Sequence, residues 1–325
     1  MRIAFQMDAP ESLDLAGDSS FALALEAARR GFALHWYGVE SLTLEDWRLS
    51  AFVRPLRVRG GGDGDGAGAA MESGDGRRER LDTMDMILVR QNPPFNMNYL
   101  HATWLLEYLP PATLVLNDPR ALRDAPEKLL RGAAAEHTPP TLISSDAELI
   151  EAFARRQPDG VVLKPLYGYG GYGVVRVTAE EAARGGALAA HLARLRESWE
   201  GPPLAQAYLP AVSREERRVF LIGGAAVGVI GRVPAAGEFR ANLRLGARGE
   251  AAELRAHEVR VAGLVAEALG AERVLFAGLD FIGDYLTEVN VTSPTGLTQL
   301  RTLSGVDGAS LFWDAALALR ARRTA

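Results

Sequence analysis

Asp280, Glu288 and Asn290 are the residues whose types and spacing say most about chemistry. They lie in the run Gly278-Leu279-Asp280-Phe281-Ile282-Gly283-Asp284-Tyr285-Leu286-Thr287-Glu288-Val289-Asn290-Val291-Thr292-Ser293-Pro294. Two apolar strands, near Leu275–Ile282 and Tyr285–Val289, are expected to turn back on each other at Gly283-Asp284. Residues i and i+2 of a strand share a face, so Glu288 and Asn290 project together, and the paired strand can bring Asp280 beside them. Three oxygen donors on one face suit Mg²⁺, a hard ion that usually takes one or two carboxylates and completes its shell with phosphates and water. The same residues also fit an ordinary hairpin with outward polar side chains, although these strands are otherwise too apolar to carry a solvated face. The chain has no cysteine and only five scattered histidines, which argues against zinc.

A second group is cationic. Tyr167-Gly168-Tyr169-Gly170-Gly171-Tyr172-Gly173 follows Val161-Val162-Leu163-Lys164-Pro165-Leu166 and precedes Val174-Val175-Arg176-Val177. Four glycines leave backbone N–H groups free to approach an anion. A dinucleotide loop or P-loop would be followed by a helix; here a strand follows, which excludes a dehydrogenase-type loop and leaves either a flap over phosphates or a plain hairpin loop. Lys164 interrupts an apolar strand, and a buried ammonium needs an anionic or hydrogen-bonding partner. Lys128, after Asp124-Ala125-Pro126-Glu127, reads as lying on a helix near Ala125–Ala135, where it is equally compatible with solvent. Arg217, Arg218, Arg232, Arg240, Arg244 and Arg248 form a series whose forks match carboxylate and phosphate oxygens. The last three sit in a loop-like stretch, Pro234–Glu250, which reads either as a closing loop or as an ordinary solvated one. Gln206–Leu209, before Pro210, reads as a strand leaving the core whose backbone could meet an adenine edge, or as plain sheet.

The elements that must hold these groups follow from periodicity. Strands are expected at Arg2–Met7, Ala33–Tyr37, Met86–Arg90 and Thr113–Leu116, with helices at Ser19–Arg30 and Asn98–Leu109. That alternation predicts a mostly parallel sheet with helices on its faces. Further strands are expected at Leu204–Tyr208, Arg218–Ile222 and Val227–Gly231. Further helices are expected at Ala147–Arg156, Ala179–Leu195, Ala252–Leu269 and Ala309–Ala321. Gly60–Gly76 holds eight glycines in seventeen positions and no Lys or Arg, and reads as a mobile surface insertion. Its acids make a phosphate-binding role unfavourable.

Composition bounds the answer. With 325 residues and 48% hydrophobic content, the chain predicts two or three domains with substantial cores. Lys and Arg total 36 against 41 Asp and Glu, a net charge of −5, so bulk charge gives no hint of nucleic-acid binding. No run of 18 apolar residues occurs, so no membrane span is expected. The N-terminus enters a strand without the pattern of a signal peptide. The expected location is cytoplasmic.

Taken together, Asp18-Ser19-Ser20-Phe21, Arg90-Gln91-Asn92-Pro93-Pro94-Phe95, Asn117-Asp118-Pro119-Arg120 to Glu127-Lys128, Leu163-Lys164-Pro165-Leu166 with its glycine loop, and Leu286-Thr287-Glu288-Val289-Asn290-Val291-Thr292-Ser293-Pro294 resemble the prokaryotic glutathione synthetases, members of the ATP-grasp ligases. The resemblance runs over nearly the whole chain apart from Gly60–Gly76. It implies an α/β ATP-grasp fold. An N-terminal, open, mostly parallel α/β domain would span 1–120, a small central lid domain 121–203, and a C-terminal mixed-sheet α+β domain 204–325. The implied activity is ATP-dependent joining of γ-glutamylcysteine and glycine through an acyl phosphate, with two Mg²⁺ ions for which Mn²⁺ can substitute. The implied partners are small molecules, with homo-oligomers by analogy.

Residue by residue, the resemblance places Lys128 and Lys164 on the phosphates under Gly168, Tyr169, Gly170 and Gly171. Gln206, Tyr208 and Leu209 would line the adenine pocket, and Glu216 would face the ribose. Asp280, Glu288 and Asn290 would ligate the metals. Arg218 would stabilise the transferring phosphoryl group, with Arg232, Arg240 and Asn242 closing on the substrates. Arg90, Ser19, Arg248, Ser293 and Thr295 would contact substrate, Arg90 through the peptide carboxylate. The family's closing loop usually reads Arg-Gly-Asn-Leu-Ala-Ala-Gly-Gly, where this chain has Arg240-Ala241-Asn242-Leu243-Arg244-Leu245-Gly246-Ala247. The glycine flap begins with Tyr167 instead of Asp, and Asn92 and Asn96 replace two acids. These departures spare the metal and lysine positions and fall near the donor and acceptor pockets. The alternatives are therefore a ligase for another acid–amine pair, or a non-catalytic nucleotide-binding protein.

Overall fold

A computed structural model of the chain describes residues 1–61, 68–184, 186–242 and 246–324. The chain alternates strands and helices through three sheets. The first contains β1 (Arg2–Gln6), β2 (Ala33–Tyr37), β3 (Thr43–Glu45), β4 (Arg48–Arg59), β5 (Ala70–Ser73), β6 (Arg77–Arg80), β7 (Met86–Val89) and β8 (Leu114–Leu116), with helices α1 (Ser19–Arg29), α2 (Met97–Leu106) and α3 (Pro119–Asp124). The second contains β9 (Thr141–Ile143), β10 (Val161–Pro165), β11 (Val175–Val177) and β12 (Pro203–Ala207), with α4 (Ala147–Arg155), α5 (Ala179–Arg184) and α6 (Ala187–Ser198). The third contains β13 (Glu216–Ile222), β14 (Ala225–Val233), β15 (Arg248–Ala251), β16 (Phe276–Ile282) and β17 (Tyr285–Asn290), with α7 (Ala256–Leu269), α8 (Leu297–Ser304) and α9 (Gly308–Thr324).

In the first sheet the path β2-β1-β7-β8 is parallel, as the alternation predicts. An antiparallel extension, β3 to β6, is built onto β2 through β4. This extension corrects the expectation of a loose insertion at Gly60–Gly76. Residues 62–67 of that stretch lie outside the described residues, but Ala70–Ser73 form a strand on β4, and Met71 is buried in the core. In the third sheet every pairing is antiparallel, where a mixed sheet is expected from the resemblance. The reason is connectivity: β13–β14 and β16–β17 are hairpins turning at Gly223-Gly224 and Gly283-Asp284, and α7 returns the chain so that β16 runs opposite to β13.

Two smaller differences have local causes. In place of the helix expected near Ala125–Ala135 there is a turn, followed by a short 3₁₀ helix over Gly132–His137. Pro126 lacks an N–H and biases Ala125 away from helical angles, so α3 stops at Asp124 and Pro126–Leu129 forms a turn closed by Leu129 N–H donating to the Pro126 carbonyl (3.0 Å). The helix expected over Ala179–Leu195 is divided into α5 and α6, with Gly186 at φ +79° before α6.

The first and third sheets share their hydrophobic clusters, with Phe5 and Leu88 packed in the same core as Phe220, Phe276 and Trp313. The second sheet keeps a separate core around Ile150, Leu163, Leu192 and Ala205. Asn117, just after β8, locks the shared body together. Its amide N donates to the Phe276 and Val291 carbonyls (both 2.8 Å), and its Oδ1 accepts from Leu275 N (2.9 Å) and Phe276 N (3.1 Å). All these bonds are buried and the amide's capacity is full. Asn117→Asp replaces two donors with an acceptor facing two carbonyls. Urea denaturation is expected to show a loss of about 3 kcal/mol; a change within experimental error would contradict this role.

Candidate active site

The site is built by strand alternation on one face of the third sheet. Arg217 and Arg218 are neighbours on β13 and so point to opposite faces. Arg217 turns to α7, where it pairs with buried Glu258 and with Glu215. Arg218 turns to the other face. Register completes a row there: Arg218 lies opposite Asp280, Asp280 opposite Glu288, Gly278 opposite Asn290, and Glu216 opposite Arg232. Gly278 matters for room, because a Cβ there would sit 3.3 to 3.6 Å from the Arg218 side chain.

Asp280, 3% exposed, is the centre of this row. Its oxygens accept from Arg218 Nε (2.7 Å) and Nη2 (2.6 Å) and from Asn290 Nδ2 (3.2 Å), and Arg232 Nη2 lies 2.8 Å away. Burial alone would raise its pKa; the two guanidinium groups overcome this and hold the carboxyl well below the usual carboxylate range. Arg218 is stabilised in its charged form by the same contact, against its own burial. Glu216 pairs with Arg232 at 3.2 Å, and burial pushes its carboxyl up to about 7 against the pull of Arg232 and Arg218. Among the described residues the buried Arg232 Nε has no hydrogen-bond partner, and Arg232 lines the cleft.

The second sheet faces this row across a cavity of about 230 Å³. The glycine flap lies between β10 and β11, strand to strand, as the sequence predicts. Lys128 sits in the turn made by Pro126, not on a helix. Its Nζ donates to the Gly168 carbonyl (2.5 Å) and pairs with Glu288 Oε1 (2.9 Å). Burial works against its charge, and Glu288 and Glu127 more than restore it. Lys164 donates to Gln206 Oε1 (2.9 Å), and burial lowers its pKa. Arg240 donates to the Gly171 carbonyl (3.1 Å). Five cations (Lys128, Lys164, Arg218, Arg232 and Arg240) and four carboxylates (Glu127, Glu216, Asp280 and Glu288) thus line one cavity.

No three His, Asp or Glu side chains converge closely enough to hold an ion by themselves among the described residues. Two carboxylates and an amide oxygen nevertheless fit a hard divalent ion that draws its remaining ligands from phosphate, and the unpartnered Arg232 Nε fits an anion beside it. Such an ion would share Asp280 with the arginines.

The sequence-predicted residues divide into two groups. Lys128, Lys164, Gly168, Tyr169, Gly170, Gly171, Gln206, Tyr208, Leu209, Glu216, Arg218, Arg232, Arg240, Asn242, Asp280, Glu288, Asn290, Ser293 and Thr295 all line the one cavity. Ser19, Arg90 and Arg248 do not. Ser19 is fully buried and its Oγ accepts from Leu297 N at the start of α8 (3.1 Å). Arg90 is buried beneath the wall, donating to Ser20 Oγ (3.1 Å) and the Pro294 carbonyl (3.0 Å). Arg248 points to solvent from β15 and pairs with Glu250. The two Asn replacements also separate: Asn92 lines the cavity, whereas Asn96 caps α2 by accepting from Asn98 N and Tyr99 N.

Glu127 is a site residue that no local sequence pattern marks. Glu127 lines the cavity, and its Oε1 accepts from Val291 N (2.9 Å), Thr292 N (3.0 Å) and Thr292 Oγ1 (2.9 Å). It fixes the chain just beyond Asn290. Its position beside Lys128 was the only available signal.

Comparison with known proteins agrees with this geometry. Residues 1–123 match the family model of the prokaryotic glutathione synthetase N-terminal domain, and residues 127–305 that of the prokaryotic glutathione synthetase ATP-grasp domain. The chain belongs to the prokaryotic glutathione synthetase family. Family relatives include the glutathione synthetases of Agrobacterium fabrum, 41% identical over 314 residues (96% of this chain, 95% of the relative), and of Mesorhizobium japonicum, 41% identical over 315 residues (97% of each). Among solved structures, D-cycloserine synthetase DcsG aligns with TM-score 0.67 at 19% identity over 99% of this chain and 100% of that one. D-alanyl-alanine synthetase A from Vibrio cholerae aligns with TM-score 0.61 at 14% identity over 99% and 98%. At those identities the likeness is one of fold, and that fold is ATP-grasp.

In this member of the glutathione synthetase family, Lys128 ties the glycine flap to the third sheet. Lys128→Met removes a charged hydrogen bond worth about 1.5 kcal/mol, or roughly tenfold more frequent flap opening. Chymotrypsin should then cut faster at exposed Tyr172. An unchanged cleavage rate would contradict the tie.

Proposed function

We propose that the chain is an ATP-dependent carboxylate–amine ligase that joins γ-glutamylcysteine to glycine, releasing ADP and phosphate. The observation that carries this reading is the single buried face on which Asp280, Glu288 and Asn290 stand beside Arg218 and opposite Lys128 and Lys164. Family membership adds the substrate pair.

The mechanism follows from charge. A carboxylate is a poor electrophile and repels the γ-phosphate. Lys128 and Lys164 would hold phosphate oxygens under the N–H groups of Gly168–Gly171, while Gln206, Tyr208 and Leu209 take the adenine and Glu216 the ribose. Asp280, Glu288 and Asn290 would hold the divalent cations, in this proposal two Mg²⁺ ions replaceable by Mn²⁺, which would supply charge neutralisation at the phosphates. Arg218 and Arg232 would exchange part of their bonding from Asp280 to the phosphoryl oxygens as negative charge builds there. The cysteinyl carboxylate oxygen attacks the γ-phosphorus and ADP leaves. The glycine amine then attacks the acyl carbon, the C–O bond breaks, and phosphate departs with the former carboxylate oxygen. Water would intercept the acyl phosphate, so the glycine flap and the segment bearing Arg240 and Asn242 must cover it. Residues 243–245 of that closing loop lie outside the described residues. Ser293 and Thr295 line the wall where the substrates would sit. The second sheet, with its own core, supports a lid unit between N- and C-terminal units, but the expected boundary at 203/204 would cut β12, whose Ala205 belongs to that core, so the lid reading extends through Ala207.

Incubation with ATP, Mg²⁺, γ-glutamylcysteine and glycine should yield glutathione, ADP and phosphate in equal amounts. ADP release with another amine, and little with glycine, would instead support a ligase for a different acid–amine pair. Glu288→Gln should keep the fold and lose at least the roughly 10–100-fold seen when a metal's supporting residues are removed, with partial recovery at high Mg²⁺. Unchanged turnover would remove Glu288 from the metal site.

A further inference from the structure

The cavity has a charged end, described above, and an apolar end. The apolar end is formed by Val162, Tyr208 and Val212, with Val174, Ile282 and Phe239 packed against them. Val162 and Ile282 lie on β10 and β16, Tyr208 and Val212 on the segment joining the second and third sheets, and Val174 at the end of the glycine flap. Phe239 rides on the segment after β14 that also carries Arg240 and Asn242. Its ring meets Tyr208 edge to face, with centroids 6.5 Å apart and planes at 69°.

The segment is shaped to deliver that ring. The Glu238 carboxylate accepts from Phe239 N (2.9 Å), Arg240 N (3.1 Å), Arg240 Nε (3.0 Å) and Arg240 Nη2 (2.6 Å). Arg240 in turn reaches the glycine flap at the Gly171 carbonyl. Arg240 holds the carboxyl down to about 2, so this clasp is charged across the neutral range. Residues 238–240 therefore fasten one loop at two points: Arg240 to the flap above the phosphates, Phe239 to the apolar end of the cavity.

We propose that Phe239 is a specificity-determining residue of the nucleotide site, an aromatic wall carried by the closing loop that packs against the heteroaromatic base. This rests on reading the cavity as the ATP site. A base at this end offers a flat π-face beside Phe239 and Tyr208, and stacking of a base on an aromatic side chain is sequence-tolerant and substantial. Because coupling is reciprocal, whatever affinity the base gains from the closed loop, closure gains from the base. The loop then closes over a whole nucleotide in preference to phosphates alone.

The test compares Mg·ADP with Mg·tripolyphosphate, measured by calorimetric titration on the full chain. Phe239→Ala should weaken Mg·ADP by about tenfold and leave Mg·tripolyphosphate within twofold. Phe239→Tyr should restore Mg·ADP binding, and Phe239→Leu should not. Unchanged Mg·ADP affinity in Phe239→Ala overturns the proposal. So does equal weakening of both ligands, which would make Phe239 a support of the loop alone. Wild-type protein that binds neither ligand would overturn the ATP-site reading itself, and the proposal with it; that result is distinct from the other two.

Discussion

Asp280 between Arg218 and Arg232 is the contact on which the rest of this structure depends. A carboxylate at 3% exposure is tolerable only with its charge met, and here two arginines meet it while a third partner, Asn290, fixes its second oxygen. Such a pair is not an efficient way to stabilise a fold, since apolar residues often do as well. Its place at the centre of a row of charged and polar side chains that lines a cavity points to use. The arginines are held desolvated and aimed, ready to meet a phosphoryl group without reorganising.

That row constrains everything around it. The antiparallel register of β13, β16 and β17 sets Asp280 beside Arg218 and Glu288. Asn117 and Glu127 pin the ends of those strands to the N-terminal sheet and to the Lys128 turn. The opposing sheet has its own core and touches the row through side chains that reach across the cavity: Lys128 to the Gly168 carbonyl, Arg240 to the Gly171 carbonyl. A rigid charged floor and a separately packed cover suit a reaction that must admit large anions and then exclude water.

Much of this was legible in the sequence, for identifiable reasons. Glu288 and Asn290 could be put on one face because strand period is two, and Lys164 stood out as a charge in an apolar strand. The parallel β2-β1-β7-β8 path followed from strand–helix alternation. The extension β3–β6 was missed although Leu49, Ala51 and Val53 alternate correctly, because arginines and the neighbouring glycine run obscured the pattern. The local pattern favours continuing the helix through Lys128, whereas Pro126 disfavours helical angles at Ala125 and ends it. Ser19, Arg90 and Arg248 were carried over by resemblance, and no local pattern distinguishes a buried interdomain bond, as Ser19 and Arg90 make, from a contact to substrate. Phe239 and Glu238 gained meaning only when the loop was seen to lie against Tyr208 and the flap.

The account comes down to a phosphoryl group passing to a substrate carboxylate above the Asp280 row. Oxygen-18 placed in the cysteinyl carboxylate of γ-glutamylcysteine tests this directly. During turnover with ATP and glycine, the released phosphate should carry one labelled oxygen for each peptide bond formed. Phosphate free of label, with glutathione still produced, would contradict an acyl phosphate and the role given to this charged face.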